Sequence, residues 1–250
     1  MRAAQGGQIG VRASILSAVL VTIALSATGC ESTQEKSARL EKTAHHTRLA
    51  EQGLSITKRS AEVGVLSAVL VHGTEGAAAV VTLRNESAHA LRDVPIAITV
   101  KNAHGSTVFQ NNAPGLEAAL TSLGSIPAHG MASWVDDQVP STGAPTSVTA
   151  IVGEPSVASG TLPVVEVAGT HRGEESGSAT AAGTVRNRST VAQQALVVYV
   201  IARRAGRVVA AGRAILPEVA PGVAVPFQAF LVGVPAGARL EASAPANTFG

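Results

Sequence analysis

The chain of 250 residues carries 19 basic and 17 acidic side chains, is 46% hydrophobic but only 2% aromatic, and contains one cysteine. That length supports one or two domains with real apolar cores, and the near-balance of charge gives a phosphate backbone little to hold, which excludes nucleic acid as a partner. An intrachain disulfide is excluded by the single thiol, and with four Phe, one Trp and one Tyr the stacking platforms that bind sugars or single strands are disfavoured.

At the N-terminus, Arg2 and Arg12 precede an apolar run from Ile15 to Ala27, which ends in Ala27-Thr28-Gly29-Cys30. The run is too short to cross a hydrocarbon core, which takes roughly twenty helical residues. The segment resembles a bacterial lipoprotein signal peptide, with a cationic start, an apolar middle and a lipobox whose small residues precede a lipidated cysteine. The resemblance implies cleavage before Cys30 and acyl chains, palmitate among them, on that residue. It implies an exported protein anchored to the outer face of the cytoplasmic membrane, or to the outer membrane in a diderm host. Glu31, not Asp, follows Cys30, so no inner-membrane retention signal of the diderm type is visible. An ordinary secretory signal cleaved within Ser26–Gly29 is the alternative. Two acyl chains on one residue hold a protein stably, whereas one holds it marginally.

Residues 30–57 are polar and proline-free up to Gly53, with Glu35 four residues before Arg39 and a thin apolar stripe of Ala38, Leu40, Ala44, Leu49 and Ala50. So weak an amphipathic pattern predicts a partly helical tether. His45 and His46 are adjacent, point about 100° apart in a helix, and have no third ligand nearby; no metal is expected.

From residue 58 the period changes to two. Strands are predicted over Gly76–Asn85 and Val94–Lys101, with Ile96, Ile98 and Val100 on one face, then through Thr107–Phe109, Met131–Val135 and Ser147–Val152. Asn102-Ala-His-Gly105 supplies the hairpin turn. Six or so strands in about 95 residues predict a small β-sandwich over 58–152. The second half then repeats the first. Ala79-Val-Val-Thr-Leu-Arg-Asn-Glu-Ser87 aligns with Ala181-Ala-Gly-Thr-Val-Arg-Asn-Arg-Ser189, Gly105 with Gly206, and Ile126-Pro-Ala-His-Gly130 with Val219-Ala-Pro-Gly222. A tandem duplication follows, with a second sandwich over 162–249 and a Gly/Ser/Pro-rich linker at 153–161.

These segments resemble the tandem immunoglobulin-like domains of the FxLYD type found in exported bacterial proteins. The likeness rests on Leu83–Ser87 and Val185–Ser189, on the Gly105 and Gly206 turns, and on Pro127–Gly130 and Ala220–Gly222. The Leu-Tyr-Asp signature itself is replaced by Thr99-Val-Lys and Tyr199-Val-Ile. The resemblance implies an all-β fold and brings no catalytic residues with it. The repeated Asn-x-Ser is read as a cap on the strand-to-loop turn, with both side chains bonding nearby backbone, and Arg84 and Arg186 are placed on the exposed face.

The copies differ between hairpin and later turn, where the first is nine residues longer, around Asn111–Leu123. Long loops on rigid sandwiches are where binding is usually placed. Asn111, Asn112, Leu116, Glu117 and the nearby Trp134 therefore form the candidate interaction surface, the competing account being that Leu116, Leu120, Leu123 and Trp134 close one end of the core. Ala195–Ala202 is apolar on both faces, so a second layer must cover it; the first domain is the expected cover, and Tyr199 joins the candidate surface as the alternative.

Enzyme signatures fail one by one. Ser55-Ile-Thr-Lys58 matches S-x-x-K, but S-D-N and K-T-G are absent. Asp136 and Asp137 point to opposite faces of a strand and are expected to mark its end. A blue-copper site needs a free Cys, and His72, His89, His104, His129 and His171 fall in predicted turns. No catalytic residue, cofactor or metal is expected. The expectation is a non-catalytic interaction or spacer module of the cell envelope with an envelope protein as partner; the alternative is an accessory ligand-binding subunit of a transporter or enzyme complex, which a deep apolar pocket between the domains would favour.

Overall fold

The computed structural model describes residues 53–74 and 76–249; the signal segment, Cys30 and positions 30–52 of the expected tether lie outside the described residues. Every described element but one is a strand. In the first half β1 (Val63–His72), β2 (Gly76–Asn85) and β6 (Met131–Pro140) form one antiparallel sheet in the order β1-β2-β6. Facing it, β3 (Leu91–Asn102) is flanked by β4 (Thr107–Gln110) and β5 (Ser122–Ile126) on one side and by β7 (Pro145–Val152) and β8 (Ser156–Val157) on the other. A 3-10 turn, Ala118–Leu120, lies between β4 and β5.

The second half uses the same plan. β9 (Val165–Glu175), β10 (Ser178–Asn187) and β13 (Ala224–Phe230) make one sheet; β11 (Gln193–Arg204), β12 (Arg207–Val219), β14 (Val232–Gly233) and β15 (Arg239–Ser243) make the other, ordered β14-β12-β11-β15. The protein is thus all-β, built as two antiparallel sandwiches. The expected strands and the turn at Asn102 are present; there the Asn side-chain oxygen accepts the amides of His104 and Ser106 at 3.0 Å each.

The repeated Asn-x-Ser caps as expected, and the caps are buried. Asn85 Oδ1 accepts the Ser87 amide and hydroxyl, both at 2.9 Å, while its Nδ2 donates to the carbonyls of His89 and Pro127. Asn187 repeats the set with Ser189, Val191 and Val219. Each Asn ties its strand end to the later turn, Pro127 or Val219, so the duplication holds at the level of individual hydrogen bonds. Arg84 and Arg186 are exposed, as predicted.

Alternation along β11 separates two cores. Leu196, Val198, Val200 and Ala202 pack with Phe227, Ala229 and Val185 inside the second sandwich. Val197, Tyr199 and Ile201 point the other way, into the core of the first. The cover expected for this doubly apolar strand is therefore the first domain. β2 answers with a run of five buried residues, Ala77–Val81, whose small side chains let the β1-β2-β6 and β11-β12 sheets pack face to face. Four sheet layers result, and all the described residues fall within one compact unit.

Both ends of the described chain are strapped to this body. Residues 53–57, at the far end of the expected tether, carry no helix. Gly53, at φ 72°, passes so close to the Asn112 carbonyl that a Cβ would collide with it. Arg59 bridges to Gly153, the Ser60 amide donates to Val152 O at 2.9 Å, and Lys58 pairs with Glu154. At the other end Ala246 crosses Gly124 of β5 at a distance only glycine allows. There Gln193 Oε1 accepts the amides of Asn247 and Thr248 at 3.0 and 3.2 Å.

Candidate functional site

The nine-residue difference resolves into a break in one strand. β12 runs unbroken along β11 for 13 residues. Along β3 the equivalent partner stops at Gln110, opposite Thr99, and resumes at Ser122, opposite Pro95. Residues 111–121 leave the ladder between these points, and Asn111 stands in for the missing strand. Its Oδ1 accepts the Ile98 amide at 2.7 Å, and its Nδ2 donates to the carbonyls of Ile96 at 2.8 Å and Leu120 at 2.7 Å. The two bonds to Ile96 and Ile98 replace β3 backbone pairing lost to the excursion, and the third ties down the excursion's own end.

This placement corrects three of the six surface candidates. Asn111 and Trp134 are fully buried and Tyr199 is 2% exposed, so none offers a face to an external partner. Trp134 Nε1 donates to Ala119 O at 2.9 Å, tying the core to the excursion, and Leu120 and Leu123 are buried with it. Here the competing account, closure of the core, is the one the structure shows. Asn112 and Glu117 are exposed and Leu116 half-buried. Tyr199 is covered by the first sandwich, and burial pushes its phenol well above its ordinary pKa, Arg213 opposing and Asp137 assisting.

The expectation that Asp136 and Asp137 end their strand is also corrected: β6 continues to Pro140. Ala77 faces Val139 and Ala79 faces Asp136, so Asp137 and Gln138 together oppose Ala78 in a β-bulge, which re-aims the side chains. Asp137 reaches the second sandwich, where its carboxylate accepts Arg213 Nε at 2.9 Å and the Arg213 amide at 3.1 Å. Arg213 is 5% exposed at its side chain, and Glu117 Oε2 lies 3.5 Å from its Nη1. Asp136 is 1% exposed; its Oδ1 accepts the Gln138 amide at 2.9 Å and its Oδ2 has no partner. Burial pushes its pKa up to about 6, helped by the Asp137 charge and opposed by the Gln138 amide and Arg213. Asp136 and Arg213 are nearly closed to solvent, while Glu117 at the edge is exposed; the Asp137–Arg213 pair ties the two halves together.

Open space lies elsewhere along the same junction. A groove of about 690 Å³ runs between the sandwiches, lined among others by Met131 and Ser133 of β6, by Val164 and Val167, and by Ile201 of β11 and Ala242 of β15. Among the described residues, Arg203 and Glu241 are the only charged ones in its lining, joined by Arg203 Nε donating to Glu241 Oε2 at 3.1 Å. Thr82 and Ser133 hydroxyls stand 3.4 Å apart across β2 and β6. Met131 is 63% and Val164 54% exposed, both at the groove. A shallower dish of about 530 Å³ lies on the outer face of the β9-β10-β13 sheet, over Gly169 and Gly183.

Neither half contains the groove by itself, so no residue run announces it. The one readable signal was Leu162-Pro-Val-Val165, an apolar stretch directly after a linker rich in Gly, Ser and Pro. The other pattern matches lead nowhere near it. Ser55 and Lys58 are exposed in the N-terminal strap, and among the described residues no three His, Cys, Asp or Glu side chains gather as a metal-ligand group.

No family model matches the chain, and no curated protein matches it. Among solved structures it is similar to an exo-chitosanase of Amycolatopsis orientalis at 14% identity and a TM-score of 0.27, covering 73% of this chain and 26% of that one. It is also similar to a red sea bream transglutaminase at 14% identity and a TM-score of 0.22, covering 86% of this chain and 32% of that one. The chain spans about a quarter to a third of the length of these structures.

Proposed function

We propose that the chain is an exported lipoprotein, anchored through Cys30 to the outer face of the cytoplasmic membrane or to a diderm outer membrane, whose tandem FxLYD-type sandwiches form a non-catalytic protein-interaction or spacer module of the cell envelope. The observation that carries this reading is the face-to-face packing of the two halves into one four-layered body. In that body Asn85, Asn111, Asn187 and Gln193, all buried, spend their side-chain bonds on backbone. Such a body holds a fixed distance and presents fixed surfaces. The lipobox residues Ala27 to Cys30 supply the anchor.

The test labels cells expressing the chain with an alkyne-bearing palmitate, then crosslinks through a photoreactive residue placed at Asn112, which is exposed and outside the groove. The label is expected on the wild-type chain and lost with Cys30→Ser; an unlabelled wild type, or a labelled Cys30→Ser, overturns the anchor. One dominant crosslinked envelope protein is the result expected of an interaction module. The groove favours a second reading, an accessory ligand-binding subunit, and crosslinks to a transporter or enzyme subunit would favour it.

A further inference from the structure

We infer that the groove between the sandwiches binds a long-chain carboxylic acid, with the carboxylate held by Arg203 and Arg239 and the acyl chain laid along Ile201, Val167, Val164 and Met131. The volume, about 690 Å³, lies within the range of small-molecule sites, as does a lining that is mostly apolar with a few polar groups at fixed places. What selects the occupant is the charge. Glu241 engages Arg203 through Nε alone, which orients the guanidinium and leaves its outer nitrogens, a two-pronged donor suited to a second carboxylate. Arg239 lies directly opposite Arg203 on β15. It is exposed and has no ion pair among the described residues. The lining itself is charge-balanced, Arg203 against Glu241, and Arg239, paired with Arg203 just outside the lining, adds one positive charge at that end of the apolar trough. An amphiphile with one negative head and one apolar tail matches both features.

The lining also explains two costs the fold otherwise carries without return. Met131 and Val164 are large apolar side chains left 63% and 54% exposed in the lining of the same groove. An acyl chain between them would remove both from water. Methionine suits the role because its flexible thioether adapts to chains of differing shape. The inference stands apart from the anchor at Cys30, since every residue it uses lies between Met131 and Ala242.

The purified full-length chain is titrated with [1-13C]oleate and followed by carbon NMR of the carboxyl and by native mass spectrometry. One oleate per chain is expected, with its carboxyl resonance distinct from that of free or micellar oleate and its titration midpoint shifted to lower pH. Arg203→Gln and Arg239→Gln are expected to weaken binding at least tenfold each, and oleyl alcohol to bind at least tenfold more weakly than oleate. Met131→Glu, at an exposed position that folding does not use, is expected to weaken it similarly. Absence of saturable 1:1 binding overturns the inference, as does binding that Met131→Glu leaves unchanged. Equal binding of oleyl alcohol overturns the carboxylate recognition. A crosslink from a photoreactive residue at Met131 to a protein segment that oleate cannot displace makes the groove a polypeptide site and also overturns it. None of these results bears on labelling at Cys30.

Discussion

Asp136 shows how one buried oxygen can set a pH dependence. The carboxyl lies 1% exposed with Oδ2 unpartnered. Asp137, Arg213 and the Gln138 amide act on it, and burial, the largest effect, raises its pKa from 3.8 to about 6. Folding therefore favours the protonated acid. The stabilisation from this group is complete below about pH 4 and falls away as pH rises to about 6, by up to about 3 kcal/mol for a shift of this size. Asp136→Asn is isosteric with the protonated acid and cannot ionise. Urea denaturation from pH 4 to pH 8 is expected to show the Asn variant gaining about 2–3 kcal/mol on the wild type, most of it between pH 4 and pH 6 and little above; a constant difference across that range would contradict the assignment.

At the scale of the element, the excursion between β4 and β5 turns on Asn111. An interrupted strand leaves the backbone of Ile96 and Ile98 in a dry core, where an unmade hydrogen bond costs about 1–3 kcal/mol. The Asn111 amide satisfies both, and Leu120 O as well. Asn111→Ala is expected to cost about 3–5 kcal/mol in chemical denaturation, and Asn112→Ala, one residue on and exposed, less than about 0.5 kcal/mol. Similar losses at the two positions would mean that the side chain of Asn111 is not what closes the ladder. Sequence comparison of the halves located this excursion through the nine-residue difference. It could not distinguish a binding loop from a plugged gap, because the deciding bonds join Asn111 to residues 13 and 15 positions away.

For the whole molecule, the question is whether two sandwiches behave as one. Their facing sheets share a core in which Tyr199, Ile201 and Ala211 of the second half pack with Trp134, Val80 and Val135 of the first. Arg213 is nearly enclosed and leans on Asp137 across that contact. Removing one partner of a buried pair costs about 3–5 kcal/mol, because the other charge is left without compensation. The wild-type chain is expected to unfold in one calorimetric transition with matching van't Hoff and calorimetric enthalpies. Asp137→Ala is expected to lower the midpoint and split the transition in two. A wild-type chain that already melts in two steps would show the shared core to be too weak to couple the halves.

Local pattern determined a good deal of this protein. Period-two alternation fixed the strands, the Asn-x-Ser repeats fixed the turn caps and exposed the duplication, and a strand apolar on both faces required a covering layer. These features are legible because each depends on residues near one another in sequence or on a repeated spacing. Tertiary structure alone decided that Asp137 and Gln138 form a bulge aimed at Arg213, 76 residues away. It alone decided that Asn111, Trp134 and Tyr199 are interior, and that Met131, Val164, Ile201 and Arg203 line a common groove. Each of these outcomes follows from how two sheets stack, and a one-dimensional pattern states which face of a strand is apolar without stating what will lie against it.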